Sequence, residues 1–297
     1  MVLAEGGRTL ELRVLRYFLI VAREENITRA ASLLHLTQPT LSRQLMQLEE
    51  ELGVKLFQRS KYSIILTEEG MRLKQRAQEL VSLADKVKAE FENHEEDLKG
   101  TITIGCGETK NMSFLSERMR TFREQYPGVQ FQIYSATADT VKDQLEQGLL
   151  DIGLLTEPVD IAKYDFLRMD TRERWGILVT KGSPFWGRDS VCVDDLMGVP
   201  LLLPGRQSVQ HELSSWFGEA FEHLEVAATF NLIINAANMV QHHVGIALCF
   251  ELDFHYDDLA FVPLSPRLET GAVLAWKKNQ LFSTLVSRFI ECLRNAR

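Results

Sequence analysis

The residues best suited to chemistry near the amino terminus lie within one short stretch, Gln38 to Gln44. Its polar members are Gln38, Thr40, Ser42, Arg43 and Gln44. Hydroxyl groups and helix N-termini can bind phosphates, whereas glutamine and arginine side chains can reach the edges of bases. This combination is typical of a helix that enters the major groove of duplex DNA. The solvated face of an ordinary helix has a similar composition, so these residues alone leave both interpretations open.

The elements around this stretch follow from apolar spacing and from capping residues. Apolar side chains recur at helical spacing over 12–24 and predict a first helix there. Thr28 is expected to cap a second helix, and Thr37 a third that ends near Gly53. Pro39 falls in the first turn of the third helix, where its missing N–H costs nothing. The sequence therefore predicts two short helices joined by a tight turn.

From Thr67 onward the chain becomes rich in charged residues, and its apolar positions alternate spacings of four and three. These positions are Leu73, Ala77, Leu80, Ala84, Val87, Phe91, His94 and Leu98. A stripe this narrow favours pairing with a partner helix, and Thr67 is a suitable N-cap. A single helix that lies on its own domain is the alternative.

After Gly100, segments with strand and helix patterns alternate, which predicts α/β sheets with mainly parallel strands. We expect a helix over 112–125, a buried strand over 150–155, and a last helix over 279–295 whose apolar stripe begins at Leu281. Ligands of such sheets bind beyond the carboxyl ends of the strands, near helix N-termini.

Three loops at those strand ends carry polar groups, namely 106–111, 135–139 and 204–208. Their candidate ligand contacts are Thr109, Ser135, Thr137, Arg206, Gln207 and Ser208. Hydroxyl, amide and guanidinium groups together suit a small polar or anionic ligand. The same residues could equally cap the helices that follow the loops.

The formal net charge of −8 is unevenly distributed along the chain. Residues 1–66 carry nine Lys or Arg and seven Asp or Glu, whereas residues 67–97 carry five and nine. A local basic face, rather than the total charge, is what phosphate contact requires. No apolar run approaches the roughly 20 residues of a membrane span, and the first residues lack a signal-peptide core, so we expect a cytoplasmic location.

Enzymes and metal sites have little support in the sequence. We find no nucleophile elbow, phosphate loop or HExxH pattern, and we expect neither an enzyme nor a cofactor. His242 and His243 are adjacent and point in different directions on a helix, so no metal site is predicted. A redox sensor is an alternative that would use a reactive cysteine, and Cys106 stands at the expected ligand loop.

A set of motifs spanning residues 15–70 resembles the amino-terminal signature of the LysR family of transcriptional regulators. The matching stretches are Leu15–Phe18, Thr28–Leu34, Thr37–Leu45, Leu48–Arg59 and Leu66–Gly70. The match is highly specific because it runs in order over this whole region. The resemblance implies a winged helix-turn-helix domain in which Gln38–Gln44 begin the recognition helix.

By that resemblance, the residues expected on DNA are Thr28, Gln38, Pro39, Thr40, Ser42, Arg43, Gln44, Arg59 and Lys61. Arg59 and Lys61 would contact phosphates. The family's wing is usually rich in glycine and arginine, whereas this wing has the sequence Ser60–Ile65. The resemblance therefore gives weaker support for contact between the wing and the minor groove than for contact between the recognition helix and the major groove.

The carboxyl-terminal part resembles the LysR effector domain, which is similar to a type 2 periplasmic binding protein with two lobes and a cleft. The resemblance is carried by Tyr126-Pro127, Gly148–Gly153 and Val244–Leu248. It implies effector contacts at Thr109, Thr137, Ala138 and Pro204–Arg206, and Ser135 stays a candidate contact from its position in a strand-end loop. Gln241–His243 and Cys249-Phe250 depart from the family pattern, so the identity of the ligand cannot be transferred.

Taken together, the resemblance implies a multidomain protein with an all-α winged helix-turn-helix domain over 10–67, a long linker helix over 68–98 and an α/β effector domain over 99–297. Lobe I would comprise about 99–165 and 268–297, and lobe II about 166–267. The expected partners are double-stranded DNA, a small-molecule effector and RNA polymerase, with no membrane. The linker would form a homodimer, and the effector domains a homotetramer.

Overall fold

The computed structural model describes residues 10–59, 64–92, 98–251, 253 and 257–295. The chain divides into two compact units, residues 1–92 and 93–297, and each is described by itself. The amino-terminal unit contains helices α1 (Leu12–Glu24), α2 (Ile27–Leu33), α3 (Gln38–Leu52) and α4 (Glu68–Glu92), and strands β1 (Phe57–Arg59) and β2 (Ile64–Leu66). Multidomain organisation with a helical amino-terminal domain is confirmed.

The first three helices of this unit enclose a small apolar core. Leu15 and Phe18 of α1 are fully buried with Leu41 of α3, because each helix turns its apolar stripe inward. Thr37 accepts a hydrogen bond from the backbone N–H of Thr40 at 3.4 Å and so caps α3 as predicted.

The prediction that Thr28 caps α2 is wrong. Asn26 has the extended backbone of an N-cap, and its side chain accepts a hydrogen bond from the N–H of Arg29 at 3.0 Å. Thr28 is exposed and lies one residue inside the helix. Since asparagine is at least as good an N-cap as threonine, the earlier residue takes the role.

The hydroxyl of Thr67 joins the start of α4 to the chain that leads into the wing. It accepts a hydrogen bond from the N–H of Gly70 at 3.0 Å and donates one to the carbonyl oxygen of Lys55 at 2.6 Å. A Cβ at position 70 would lie 2.2 Å from the carbonyl oxygen of Leu56, so only glycine allows this approach.

The apolar positions predicted to form a seam on the linker helix lie in different environments. Ala77 is fully buried and Leu73 half-buried against the helix-turn-helix core, so these positions pack on their own domain. Leu98 is buried in the core of the carboxyl-terminal unit instead. His94 lies outside the described residues. Leu80 and Val87 are exposed.

The carboxyl-terminal unit contains two sheets. The first sheet has the order β4-β3-β5-β13-β6, and the second has the order β11-β7-β10-β8-β9, with β12 paired to β7. The strands are β3 (Gly100–Cys106), β4 (Val129–Ser135), β5 (Ile152–Thr156), β6 (Tyr164–Arg168), β7 (Glu173–Thr180), β8 (Leu201–Pro204), β9 (Val226–Phe230), β10 (Ile246–Phe250), β11 (Leu259–Pro263), β12 (Glu269–Thr270) and β13 (Ala272–Lys277). The helices are α5 (Met112–Gln125), α6 (Ala138–Glu146), α7 (Gln207–Phe217), α8 (Ile233–Gln241) and α9 (Thr284–Arg294), with 3₁₀ turns at Asp194–Leu196 and Gly218–His223.

The predicted α/β class is confirmed, but both sheets are mixed rather than mainly parallel. In the first sheet β13 returns from the far end of the chain and pairs antiparallel with both β5 and β6. In the second sheet β7 pairs antiparallel with both β10 and β11. These pairings join strands distant in the sequence, so the local alternation of strands and helices did not reveal them.

The last helix begins later than predicted. Ser283 caps α9 by accepting a hydrogen bond from the N–H of Val286 at 3.3 Å. Leu281 is 97% exposed and precedes the helix, so its assignment to the apolar stripe is wrong. The buried stripe of α9 comprises Leu285, Val286, Phe289, Ile290 and Leu293.

Candidate DNA-binding surface and effector cleft

The amino-terminal turn of α3 presents its polar side chains to solvent. Gln38, Thr40 and Arg43 are exposed, and Ser42 and Gln44 are half-buried. Leu41 and Leu45 on the opposite face are buried in the core, which fixes the orientation of the helix. The side-chain amide of Gln38 donates a hydrogen bond to the hydroxyl of Ser42 at 3.2 Å and so orders part of the face. Pro39 is also exposed, at the start of the helix.

Arg43 differs from other arginines of this unit in its pairing. Arg23 and Arg29 both form ion pairs with Glu24, at 2.9 and 2.8 Å. Among the residues that the structure describes, no carboxylate lies within ion-pairing distance of the Arg43 guanidinium. Its donors are therefore available to a base edge or a phosphate.

The wing is tied to the end of α3 by one buried carboxylate. Glu49 accepts hydrogen bonds from the N–H groups of Leu56 at 2.8 Å and Phe57 at 3.2 Å, and from the ammonium group of Lys55 at 2.6 Å. Burial opposes its ionisation, but these donors prevail and lower the pKa of Glu49. Lys61 and the side chain of Arg59 lie outside the described part of the wing.

The carboxyl-terminal unit has a cleft between its two sheets, with a cavity of about 90 Å³ that opens to solvent. Its walls come from both sheets and their loops: Gly107, Glu108, Ala136, Thr137, Ala138, Thr156, Trp175, Pro204, Gly205, Arg206, Val209, Phe230, Asn231, Ile233, Cys249 and Phe250. Four of the predicted contacts, Thr137, Ala138, Pro204 and Arg206, are therefore brought together here. The aromatic rings give the cavity a largely apolar lining.

Two predicted contacts lie elsewhere. Ser135 is exposed at the end of β4 and does not line the cavity. Thr109 is buried, and its hydroxyl donates a hydrogen bond to the carboxylate of Glu173, which is itself fully buried. Asn111 also donates to Glu173. Because Glu173 begins the first strand of the second sheet, Thr109 joins the two lobes instead of facing the cavity.

Arg206 crosses the cleft and binds Asp139. Its Nε and Nη2 atoms donate to the two carboxylate oxygens, each at 3.0 Å. Nη1 donates to the carbonyl oxygen of Thr156 at 3.1 Å, and Nη2 to that of Pro158 at 2.8 Å. The Arg206 side chain is only 7% exposed. The guanidinium expected to bind an anion is thus already occupied by groups of the chain.

Glu108 crosses the cleft in the opposite direction. Its Oε2 atom accepts hydrogen bonds from the backbone N–H groups of Ile233 and Ile234, the latter at 3.4 Å. These two residues form the first turn of α8, where unpaired N–H groups favour a negative charge. The carboxylate of one lobe therefore occupies the anion-binding end of a helix in the other lobe.

The comparisons with known proteins cover nearly the whole chain. The family model "LysR substrate binding domain" matches residues 95–297, and "Bacterial regulatory helix-turn-helix protein, lysR family" matches residues 12–71. The chain belongs to the LysR family. It is accordingly a DNA-binding transcriptional regulator with an effector-binding domain, as the motifs predicted.

Relatives of this LysR-family protein include regulators from two bacteria. BsdA, an HTH-type transcriptional regulator of Bacillus subtilis (strain 168), is 32% identical over 199 residues, which are 65% of this chain and 67% of the relative. The Hca operon transcriptional activator HcaR of Escherichia coli (strain K12) is 27% identical over 279 residues, 92% and 93% of the two chains. Both are named as regulators and not as enzymes.

Solved LysR-family structures have the same fold. Full-length CbnR in complex with its target DNA superposes with a TM-score of 0.73 at 21% identity, covering 97% of this chain and 100% of CbnR. HinK, a LysR family regulator from Pseudomonas aeruginosa, superposes with a TM-score of 0.56 at 26% identity, covering 97% and 98% of the two chains.

Several cleft residues of the LysR-family protein were missed in the sequence. Glu108 and Asp139 lie inside two of the strand-end loops with predicted ligand contacts, but their role depends on contacts with the second lobe. Trp175, Phe230 and Phe250 have the spacing of ordinary buried strand residues, so nothing local marks them as cavity walls. A rule that every polar residue in a strand-end loop is a candidate would have included Glu108.

The cysteines of the LysR-family protein are all free thiols. Burial is the first cause that raises the pKa of Cys106 and Cys249, and the negative charge of Glu108 is the second. The pKa of Cys249 rises to about 12. Both thiols are therefore protonated at neutral pH, which disfavours the thiolate chemistry of a redox sensor.

Two further observations concern the described part of the chain. Its His, Cys, Asp and Glu side chains form no group of three or more suited to a metal ion. None of its helices combines the length and the hydropathy needed to cross a bilayer.

Proposed function

We propose that this chain is a sequence-specific DNA-binding regulator controlled by a small molecule bound in the cleft of its carboxyl-terminal unit. The observation that carries the DNA-binding part is the exposed first turn of α3, where the guanidinium of Arg43 has no carboxylate partner among the described residues. Arginine bidentate to guanine is the commonest specific contact in the major groove. Gln38, Thr40, Ser42 and Gln44 are proposed to contact neighbouring bases and phosphates, and Thr28, Pro39, Arg59 and Lys61 to lie at the sugar–phosphate backbone.

Dimerisation is proposed to use the exposed stripe of α4. Leu80, Leu83 and Val87 are 42%, 39% and 47% exposed, and their spacing of three and four places them on one face of the helix. A second copy of α4 would bury this stripe and place two recognition helices on successive half-sites. Further association to a tetramer and contact with RNA polymerase belong to the same proposal.

The effector part of the proposal is supported by the cavity between the lobes. Thr137, Ala138, Pro204 and Arg206 face it from both lobes, as the family resemblance implied. A ligand that binds there with different affinity in two lobe orientations would shift the population between them. That shift would change the geometry of the paired DNA-binding domains.

A selection from random duplexes tests the DNA-binding part. The purified full-length chain is incubated with a pool of randomised duplexes at low ionic strength, and bound DNA is amplified and sequenced. An inverted-repeat motif is the expected product, and the Arg43→Ala variant should lose preference at one position of each half-site. Failure of the parent chain to enrich any motif would refute sequence-specific binding.

A further inference from the structure

Three of the donor groups that an anionic ligand could use in this cleft already have partners within the chain. Each of the three guanidinium nitrogen atoms of Arg206 donates a hydrogen bond, either to Asp139 or to one of two carbonyl oxygens. The indole N–H of Trp175 donates to the hydroxyl of Thr270 at 2.8 Å. The first N–H groups of α8 are held by Glu108. A carboxylate ligand would therefore have to displace an existing partner at each of these positions.

The charges around the cleft also disfavour an anionic ligand. Of the described residues that line the cavity, Arg206 alone is cationic, and it is neutralised by Asp139. A second cation that joins the lobes, Lys110, is paired with Glu251 at 3.1 Å and with Asp253 at 3.4 Å. Glu108 has no cationic partner among the described residues. The cavity wall thus retains a negative charge.

Groups that suit a cation are still available. Both contacts of Glu108 use Oε2, and within the described residues no donor reaches its Oε1 atom. Trp175 and Phe250 lie in the wall with ring centroids 4.4 Å apart, and Phe230 lines it as well. Because the N–H of Trp175 is occupied, this ring lines the cavity without a free hydrogen-bond donor. Aromatic faces beside a carboxylate form a favourable environment for an ammonium group.

We propose that the cleft takes a small organic cation, an ammonium group on a compact apolar body, with Glu108 as its charged partner. The inference rests on the proposed function, since it names the ligand class of the same cleft. It replaces the polar or anionic ligand expected from the loop residues alone.

The size of the cavity restricts the ligand. Its volume of about 90 Å³ is smaller than the roughly 150 Å³ apolar cavity that holds benzene. A tert-butyl body is therefore a suitable probe, whereas larger bodies require the lobes to separate. Three compounds share this body and differ in charge: tert-butylammonium, tert-butanol and trimethylacetate.

The test measures the thermal transition of the full-length chain with each compound, at equal ionic strength, followed by calorimetric titration. We expect tert-butylammonium to raise Tm in a concentration-dependent manner, and the neutral and anionic compounds to leave it unchanged. Glu108→Gln should weaken ammonium binding at least tenfold. The matched control Glu222→Gln, an exposed carboxylate in the 3₁₀ turn, should bind like the parent.

A second variant makes the result independent of how well Glu108→Gln folds. Asp139→Asn frees the guanidinium of Arg206, so it should weaken ammonium binding and strengthen trimethylacetate binding. If the parent chain binds trimethylacetate better than tert-butylammonium, or binds none of the three, the inference is refuted. Neither result affects the DNA selection, so failure of this inference and failure of the proposed DNA-binding function are distinguishable.

Discussion

Arg206 of the second lobe and Asp139 of the first form a two-pronged ion pair across the cleft, with both N···O distances at 3.0 Å. The Arg206 side chain is 7% exposed and the Asp139 side chain 63% exposed, so the guanidinium is shielded from solvent whereas the carboxylate is in contact with it. Water screens the outer half of the interaction, which limits its contribution to stability. The pair is one of several contacts that join the two lobes, together with those of Glu108 and Thr109.

Asp139→Asn should lower the free energy of unfolding of the carboxyl-terminal unit by about 1 kcal/mol, because one charge of a partly exposed pair is lost. Urea unfolding followed by circular dichroism measures this change. Asp143→Asn, a substitution on the same helix, is the control and should have a smaller effect. An Asp139→Asn variant as stable as the parent would show that the pair does not stabilise the closed cleft.

The stability of the same unit should also depend on pH in a defined direction. Hydrogen bonding to Arg206 is the main cause that lowers the pKa of Asp139 below its ordinary value of 3.8. The contribution of the pair is therefore complete above about pH 4 and is lost as the pH falls through the lowered pKa. Urea unfolding between pH 5 and pH 3 should show a weaker pH dependence in Asp139→Asn than in the parent. Equal slopes would contradict this assignment.

Arg43→Ala should cost about 1–3 kcal/mol of specific binding, because a base-reading arginine is removed. Lys61→Ala should instead weaken binding to all sequences alike and reduce the salt dependence, as expected for a phosphate contact. Quantitative footprinting at several salt concentrations separates the two effects. Arg76→Ala, at an arginine of α4 paired with Glu79, is the control. A footprint of Arg43→Ala like that of the parent would exclude base contact by Arg43.

Glu49→Ala should destabilise the amino-terminal unit by about 1–3 kcal/mol, because the buried N–H of Leu56 and the N–H of Phe57 lose their acceptor. Glu50→Ala is a matched control, since Glu50 is the exposed neighbour on the same helix. Chemical unfolding of both variants measures the difference. Equal stabilities would show that Glu49 does not anchor the wing.

Leu80→Glu should shift the chain from dimer toward monomer, because it places a charge in the exposed stripe of α4. Met71→Glu is the control: Met71 is also exposed, but at about 100° per residue it lies on the opposite face of α4 from Leu80. Sedimentation across a range of concentrations measures the association. A Leu80→Glu variant that associates like the parent would place the dimer interface elsewhere.

The sequence predicted those elements whose signals are local. The bounds of α1 and α3 follow from apolar spacing and from capping at Thr37, and the structure confirms them together with the predicted bounds of α5. Thr28 failed as a cap because a stronger capping residue stands two positions earlier. Leu281 failed because an apolar residue at helical spacing does not show where the helix begins.

The cleft was harder to predict, because its contacts join residues far apart in the chain. Glu108 meets Ile233 across 125 positions, and Arg206 meets Asp139 across 67. The strand-end loops in the sequence correctly indicated the region of the cleft. They did not indicate which side chains in this region would form hydrogen bonds with each other. The sequence therefore indicated a donor-rich site for a small polar or anionic ligand, whereas in the folded chain Arg206 and Thr109 already donate to groups of the protein.

The return of the chain to the first sheet has a consequence for synthesis on the ribosome. Val273, Leu274 and Ala275 of β13 are fully buried between β5 and β6, and Leu274 packs in one core cluster with Phe289 of α9. The five strands of the main second-sheet path have all been made by Pro263, before β13 begins. The first lobe therefore begins to be synthesised before the second lobe but is completed after it. Until β13 is made, the apolar residues of β5 and β6 that pack beside it lack this partner strand.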